Sequence, residues 1–263
     1  MYLYGYDPAY MIVLVISMVL GFGTQAYINS TYKKWSKVRG SFGATGAQVA
    51  KRMLAANGAS TVGITRVSGH LTDYYDPRDN NLHLSDENFQ AGSVASVAVA
   101  CHEAGHAVQN ARGYFPMKFR AALVPVVNFT QQTWGLLFMI GIILNLAGFV
   151  RLAIALYAFS VIFQLVTLPV EINASRRAVQ YLGSAGTGLD ERGARQVLTA
   201  AALTYVAAAL VSIVQLLYLI GRTRRTSDGV GLGGRPRAGR DAGCAAKSQG
   251  RRIRSRNRYR HYR

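Results

Sequence analysis

The chain has 263 residues, 50% of them hydrophobic, and a formal net charge of +18 at pH 7. This length suits one large domain or two small ones. The sequence has two cysteines, Cys101 and Cys244. This number excludes a small secreted scaffold held by disulfides and suits a reducing compartment.

The first apolar stretch runs from Tyr10 to Ile28, which is long enough to cross a bilayer as a helix. A signal peptide would carry basic residues before this stretch. Residues 1–9 contain no Lys or Arg, whereas basic residues follow at Lys33, Lys34, Lys37 and Arg39. The pattern predicts that residues 1–28 form an uncleaved transmembrane anchor whose C-terminal flank is cytoplasmic.

The next segment predicts one short helix and a β-hairpin. Residues 42–57 indicate an amphipathic helix that ends at Asn57 and Gly58. Strands are predicted at residues 62–67 and 81–84, around the turn-forming residues 76–80. An edge strand of this kind would be suited to bind an extended peptide.

The residues from His102 to His106 read H-E-x-x-H and follow a run of small apolar residues that starts at Ser93. On a helix, positions i and i+4 share one face, so His102 and His106 can bind one zinc ion. Glu103 would lie beside that zinc and act as the general base for a water molecule. Gly113 and Pro116 predict that the helix ends near Ala111. The alternative is a surface helix with two unrelated histidines.

Three further spans are predicted from long apolar stretches. Residues 121–170 fit two spans, and Asn145, Gly148 and Arg151 mark the turn between them. A buried helical hairpin of a soluble protein is the alternative for this region. Residues 199–220 carry no charge and predict a fourth span.

This span count predicts that the candidate ligands share one side of the membrane. Residues 29–118 form a cytoplasmic catalytic region, residues 119–170 a transmembrane hairpin, and residues 171–198 a second cytoplasmic segment. The last segment carries four arginines, as the positive-inside rule requires: Arg176, Arg177, Arg192 and Arg195.

The last segment, residues 221–263, is rich in Gly and Arg and has almost no aliphatic residues. We expect it to be a basic disordered tail without a specific function or a specific nucleic-acid partner. Three alternatives are an arm that binds anionic lipid or nucleic acid, a different topology for the last span, and an out-of-frame extension.

A catalytic zinc site needs a third protein ligand, and the sequence offers four glutamates. Glu103 is the expected base, while Glu87 and Glu191 resemble helix-capping acids. Glu87 is expected at the start of the H-E-x-x-H helix. Glu171 follows Pro169 at the cytoplasmic end of the third span, where an acid is costly unless it has a role. Glu171 is therefore the predicted ligand, with a surface acid as its alternative reading and His70 as a weak substitute.

Cys101 precedes His102 directly, and a thiolate is a good zinc ligand. Neighbouring helical residues point about a hundred degrees apart, so Cys101 is predicted to be packed and inert rather than a ligand. A donor for the oxyanion is expected nearby, and the candidates are His70, Tyr74 and Arg176.

Three runs of sequence resemble the bacterial membrane zinc metallopeptidases of the YugP type and, more distantly, the HtpX and CAAX-processing (Ste24-type) peptidases. These runs are residues 69–78, 102–109 and 168–178. The resemblance covers residues 1–220 and implies a zincin-like site that faces the cytoplasm, with Glu171 as the third ligand. The distant relatives show Glu-x-x-Ala-Asp, whereas this chain has Ser175 in place of the Asp. Ser175 or Asn173 would then have to orient the first histidine.

The sequence therefore predicts a mainly α, multi-span protein of the bacterial cell membrane, with about four transmembrane helices and a catalytic region that contains a short β-hairpin. The predicted activity is that of an endopeptidase with one Zn²⁺ ion. Its partners would be the lipid bilayer and a membrane-associated or unfolded polypeptide. The alternative is a non-catalytic membrane scaffold or assembly factor that keeps zinc for its structure.

Overall fold

The computed structural model describes residues 7–231 of the chain. This part is mainly helical and contains a three-stranded sheet. Its elements in chain order are α1 (Pro8–Ser36), α2 (Gly46–Ala56), β1 (Gly63–Val67), β2 (Tyr74–Asp76), β3 (Asn81–Ser85), α3 (Asp86–Gln90), α4 (Val94–Ala111), α5 (Phe115–Ile143), α6 (Ala147–Ala185) and α7 (Gly188–Gly231).

Within the described residues, four helices are long and apolar enough to cross a membrane: α1, α5, α6 and the part of α7 up to Thr223. This number confirms the predicted multi-span architecture. The connection between α5 and α6 is confined to residues 144–146, where Asn145 adopts a left-handed φ of 53°. Asn tolerates this conformation better than most residues, which explains why the turn forms there.

Helix α4 carries the H-E-x-x-H motif and has the bounds that its sequence predicts. The Ser93 side chain accepts a hydrogen bond from the backbone N–H of Ser96 and caps the first turn. The helix ends at Ala111, before Gly113, which has a φ of 64°. Alanines along α4 are fully buried and allow neighbouring helices to approach closely: Ala95, Ala98, Ala100, Ala104 and Ala107.

The closest approach is between α4 and α6. A Cβ atom added at Gly105 would lie 2.7 Å from the carbonyl oxygen of Ala174, closer than real side chains come. The second variable position of the motif therefore sets how near α6 can pack to the two histidines. This packing belongs to a buried core that also includes residues of α2, the strands and the start of α7.

The sheet differs from the simple hairpin that the sequence predicts. Strand β3 lies between β1, to which it is parallel, and β2, to which it is antiparallel. The turn at residues 77–80 joins β2 to β3, and these two strands form the predicted short hairpin. Residues 62–67 were expected as an arm of that hairpin, which is wrong, because β1 pairs with β3 in parallel. Strand β2 has only three residues, too few to produce a clear alternating pattern in the sequence.

The structure corrects the expected position of Glu87 and the expected start of the tail. Glu87 was expected at the start of the H-E-x-x-H helix, but it belongs to the separate short helix α3, because α4 begins after its own cap, Ser93. The predicted tail begins inside helix α7, which continues to Gly231. The rest of that tail, including Cys244, lies outside the described residues.

Candidate active site

His102, His106 and Glu171 come together between α4 and α6. Glu171 Oε2 lies 3.3 Å from His102 Nε2 and 3.5 Å from His106 Nε2. One potential ligand atom from each of the three residues lies within 4.8 Å of the other two. His106 and Glu171 are buried, and His102 is largely shielded from solvent. The predicted spacing thus produces a compact set of two imidazoles and one carboxylate, which is typical of a zinc site.

Each histidine is held through its other ring nitrogen. Ser175 Oγ lies 3.1 Å from His102 Nδ1, and Gln109 Oε1 lies 3.1 Å from His106 Nδ1. An acceptor at Nδ1 favours the tautomer that carries its proton there and leaves the Nε2 lone pair free. Both Nε2 atoms face Glu171, so the two rings are oriented for a shared ligand.

Gln109 is fully buried and connects the second histidine to α6. Its side-chain amide donates to the carbonyl oxygen of Val170 at 2.8 Å and to Asn173 Oδ1 at 3.0 Å. Arg177 Nε also donates to Asn173 Oδ1, at 2.8 Å. Asn173, expected as an alternative partner of His102, therefore supports His106 through Gln109.

Arg120 of α5 approaches the carboxylate from its other side, with Nη1 3.4 Å from Glu171 Oε1. Among the described residues, no hydrogen-bond partner reaches the buried Glu171 Oε2. A buried carboxylate oxygen without a partner is costly. Two imidazole nitrogens and this oxygen point at one another without a hydrogen bond between them, which is the arrangement that a bound zinc ion would satisfy.

Glu103 lies beside this set and is 8% exposed. Burial, as the largest cause, raises the pKa of its carboxyl to about 7, and the carboxylate of Glu171 adds to the effect, while His102 opposes it. A carboxyl with a pKa near neutrality can both take and return a proton at neutral pH. Glu103 therefore has the environment that a general base and acid requires.

A cavity of about 240 Å³ gives access to His102, Glu103 and Glu171. Its walls come from α1, α4, α6, α7 and the segment before β2. Six further polar side chains line it: Gln25, Tyr32, Asp73, Ser175, Thr204 and Tyr205. Asp73 is engaged, because its carboxylate accepts hydrogen bonds from Ser85 and Asn88.

The three predicted oxyanion donors lie elsewhere. His70 Nδ1 is 3.4 Å from Glu87 Oε2, and its side chain is 64% exposed. Tyr74 stacks on His83 with ring centroids 4.5 Å apart, and Arg176 is exposed. None of the three lines the cavity beside Glu103. The structure instead brings the phenol of Tyr205, from α7, to the cavity wall.

Cys101 has the surroundings predicted for it. The side chain is fully buried in the apolar core, and burial raises the pKa of its thiol well above the usual range. The thiol therefore stays protonated, and a protonated thiol is not a zinc ligand.

Three residues of this site were missed by sequence reasoning. Gln109 lies three positions after His106, so helical spacing alone could have identified it. Arg120 and Tyr205 come from other helices, and their sequence surroundings carry no motif. Only the packing of α5 and α7 against the site reveals them.

Comparisons with known proteins bear on the identity of the chain. Residues 10–224 match the model of a family described as "Putative neutral zinc metallopeptidase". The chain is 42% identical over 213 residues to a Bacillus subtilis (strain 168) protein named "Putative membrane protease YugP", a match that covers 80% of this chain and 95% of that relative. No solved structure matches. Since the family model covers most of the chain, the chain belongs to this family of zinc metallopeptidases.

Proposed function

We propose that this protein is a membrane-embedded zinc endopeptidase of the bacterial cell membrane that hydrolyses peptide bonds at a cytoplasmic-face site. The observation that carries the proposal is the convergence of His102, His106 and Glu171, with Glu103 beside them in the same cavity. The family to which the chain belongs and the four apolar helices support the same conclusion.

In this proposal, His102, His106 and Glu171 hold one Zn²⁺ ion. Zinc in this position supplies Lewis-acid chemistry, because it polarises a peptide carbonyl and lowers the pKa of a water molecule. Ser175 and Gln109 keep both imidazoles in the tautomer that presents Nε2. Arg120 engages Glu171 Oε1 and so leaves Oε2 directed at the two rings.

Glu103 performs the proton transfers. Its carboxylate takes a proton from the attacking water and returns it to the amine that leaves when the peptide bond breaks. The low exposure of Glu103 keeps its pKa close to neutral pH, so neither transfer is strongly uphill. Tyr205 contributes a phenolic hydroxyl to the same cavity, which makes it a better placed donor for the oxyanion than His70, Tyr74 or Arg176.

The cytoplasmic orientation rests on charge. Basic residues follow the first apolar stretch at Lys33, Lys34 and Lys37, and arginines occur near the end of α6 and the start of α7, at the same end of the helices. The positive-inside rule assigns this end to the cytoplasm. Membrane-associated or unfolded polypeptides of that compartment are the proposed substrates.

The competing function is that of a scaffold or assembly factor with structural zinc. A structural zinc site normally has four protein ligands. In the described part of the chain, the ligand set has three members. The fourth position is thus left for water or substrate, which favours catalysis.

The test is Glu103→Gln in the full-length protein, purified in detergent with zinc. We expect the variant to bind one equivalent of zinc and to lose cleavage of casein by about 10²–10⁴-fold. Glu87→Gln is the matched control, because Glu87 lies on α3 and pairs with His70. Unchanged cleavage by Glu103→Gln would disprove the mechanism. Zinc binding without any cleavage by the unmodified protein would favour the scaffold.

A further inference from the structure

Two of the candidate transmembrane helices line the cavity of the proposed catalytic site. Helix α1 contributes Gln25, Ile28 and Tyr32, whereas α7 contributes a longer set: Val197, Leu198, Ala201, Ala202, Thr204 and Tyr205. His102 and Glu103 of α4 line the same cavity. The zinc site is therefore reached between two helices that face the bilayer.

The same two helices are joined on either side of the cavity. At one end, Trp35 Nε1 donates to Gln196 Oε1 at 2.9 Å. At the other end, Tyr218 Oη donates to Asp7 Oδ2 at 2.8 Å, and the ring of Tyr10 lies 5.5 Å from that of Tyr218. These contacts hold α1 and α7 antiparallel. The cavity lies between the two contact regions, and its opening between the two helices is called the window below.

The distance between this window and the basic residues of the same helices indicates how deep the window lies in the membrane. Gln25 lies eight positions before Lys33, which corresponds to about 12 Å along α1. Thr204 lies nine positions after Arg195, about 14 Å along α7. Basic side chains mark the aqueous boundary of a span, so both walls place the window at one similar depth inside the apolar region.

On α6, Glu171 also lies deeper in the apolar region than the nearest basic residue that follows it. Glu171 lies five positions before Arg176, about 8 Å along α6. Arg120 of α5 lies at the same level, with Nη1 3.4 Å from Glu171 Oε1, so the scissile bond must come to the edge of the apolar region to reach the ligand set. A folded soluble protein does not bring a peptide bond to that depth, whereas a chain anchored in the same bilayer has its first residues there.

We infer that the window between α1 and α7 is a lateral entrance, and that the substrates are polypeptides with a transmembrane anchor, cut in the unfolded segment next to the anchor. This inference rests on the proposed peptidase function. Leu203, Val206 and Phe22 are exposed on the flanking helices, as expected of a surface that faces lipid or an apolar anchor.

Gln25 is the residue of α1 that fits this role. It lies within the apolar stretch Tyr10 to Ile28, where a polar side chain is costly, and it lines the cavity. Its amide nitrogen donates to Asn29 Oδ1 at 3.1 Å. A primary amide offers both a donor and an acceptor, which is what the backbone of an extended chain requires. We assign Gln25 to substrate binding.

The first experiment uses two synthetic probes and the full-length protein in liposomes. The anchored probe has about twenty apolar residues followed by several copies of one unstructured peptide, and the soluble probe lacks the apolar residues. We expect cuts only in the copy next to the anchor, and a kcat/KM about a hundredfold higher than for the soluble probe. Equal kcat/KM for the two probes, or cuts spread over all copies, would overturn the inference.

The second experiment narrows the window. Ala202→Phe adds bulk to the cavity wall of α7, and Ala208→Phe adds the same bulk to an exposed position of the same helix. We expect at least about a tenfold loss of anchored-probe cleavage for Ala202→Phe and no change for Ala208→Phe. Zinc content and gel-filtration profile verify that both variants fold. Equal activities of the two folded variants would contradict lateral entry.

The third experiment separates the entrance from the chemistry. A photo-crosslinking residue at position 28 or 202 of the inactive Glu103→Gln variant should capture the anchored probe, and one at Phe129 of α5, which is exposed and does not line the cavity, should capture it far less. Capture by these positions supports the entrance even if the unmodified protein cleaves nothing, in which case only the proposed function fails. Capture of phospholipid alone would overturn the entrance while leaving the peptidase function intact.

Discussion

The hydroxyl of Ser175 lies 3.1 Å from Nδ1 of His102. Glu171 and Ser175 are four positions apart on α6, so both face α4. One helix therefore supplies a potential zinc ligand and, one turn later, the group that orients another ligand. A hydroxyl does this with an uncharged hydrogen bond, which leaves the imidazole less basic than a carboxylate would.

Ser175→Ala is expected to weaken zinc binding about tenfold, because His102 loses its Nδ1 acceptor. Ser175→Asp is the matched variant, since it supplies the charged acceptor and should bind zinc at least as tightly as the unmodified protein. Competition with a fluorescent chelator measures both dissociation constants. Unchanged zinc affinity in Ser175→Ala would show that the hydroxyl does not orient the ring.

Removal of the Gln109 side-chain amide is expected to lower stability as well as zinc affinity. In Gln109→Met the side-chain size is kept, but His106 loses its acceptor and the carbonyl of Val170 loses its buried donor. The expected cost is about 1–3 kcal/mol. Thermal unfolding in detergent without zinc measures the loss of stability. The further shift on adding zinc measures the loss of zinc affinity. Unfolding at the original temperature in both conditions would contradict this role.

Arg120 is expected to act on zinc binding through Glu171 and not through the substrate. Arg120→Met should weaken zinc binding, because Glu171 loses the ion pair at 3.4 Å that fixes the orientation of its carboxylate. Arg120→Lys should restore part of the affinity, since it keeps the charge but loses the planar fork. The prediction fails if Arg120→Met changes only KM while the zinc dissociation constant stays the same.

Gly105→Ala is expected to separate α4 from α6. The added Cβ would lie 2.7 Å from the carbonyl oxygen of Ala174, which is part of the backbone and cannot move without shifting α6. We expect a loss of about 1–3 kcal/mol in stability and a weaker zinc site. Gly135→Ala is the control, because no atom lies within 4 Å of its added Cβ. Equal thermal unfolding of the two variants would contradict the close packing.

The features that the sequence predicts correctly depend on residues that lie close to them in the chain. The cap at Ser93 and the glycine at Gly113 lie within the helix's own neighbourhood, so the bounds of α4 follow from the sequence. The apolar spans follow from length and composition. The structure brings Glu171 together with the two histidines, and its role as a zinc ligand stays a prediction.

The features that could not be predicted depend on contacts between residues that are far apart in the chain. The parallel partner of β3 is β1, eighteen positions away at the Gly63–Asn81 pair, and nothing in the sequence of either strand specifies this partner. Arg120 and Tyr205 reach the site because α5 and α7 pack there. His70 and Tyr74 were chosen for their residue types, but their rings contact Tyr32 and His83 instead.

Helix α6 links the bilayer to the metal site mechanically. It is one helix of 39 residues, and Glu171 lies about 36 Å from its first residue. A change of tilt by a few degrees in the apolar part would displace the carboxylate by an ångström or more relative to α4. A mismatch between helix length and membrane thickness changes such tilts. We therefore expect lipid chain length to alter the affinity of the proposed zinc site.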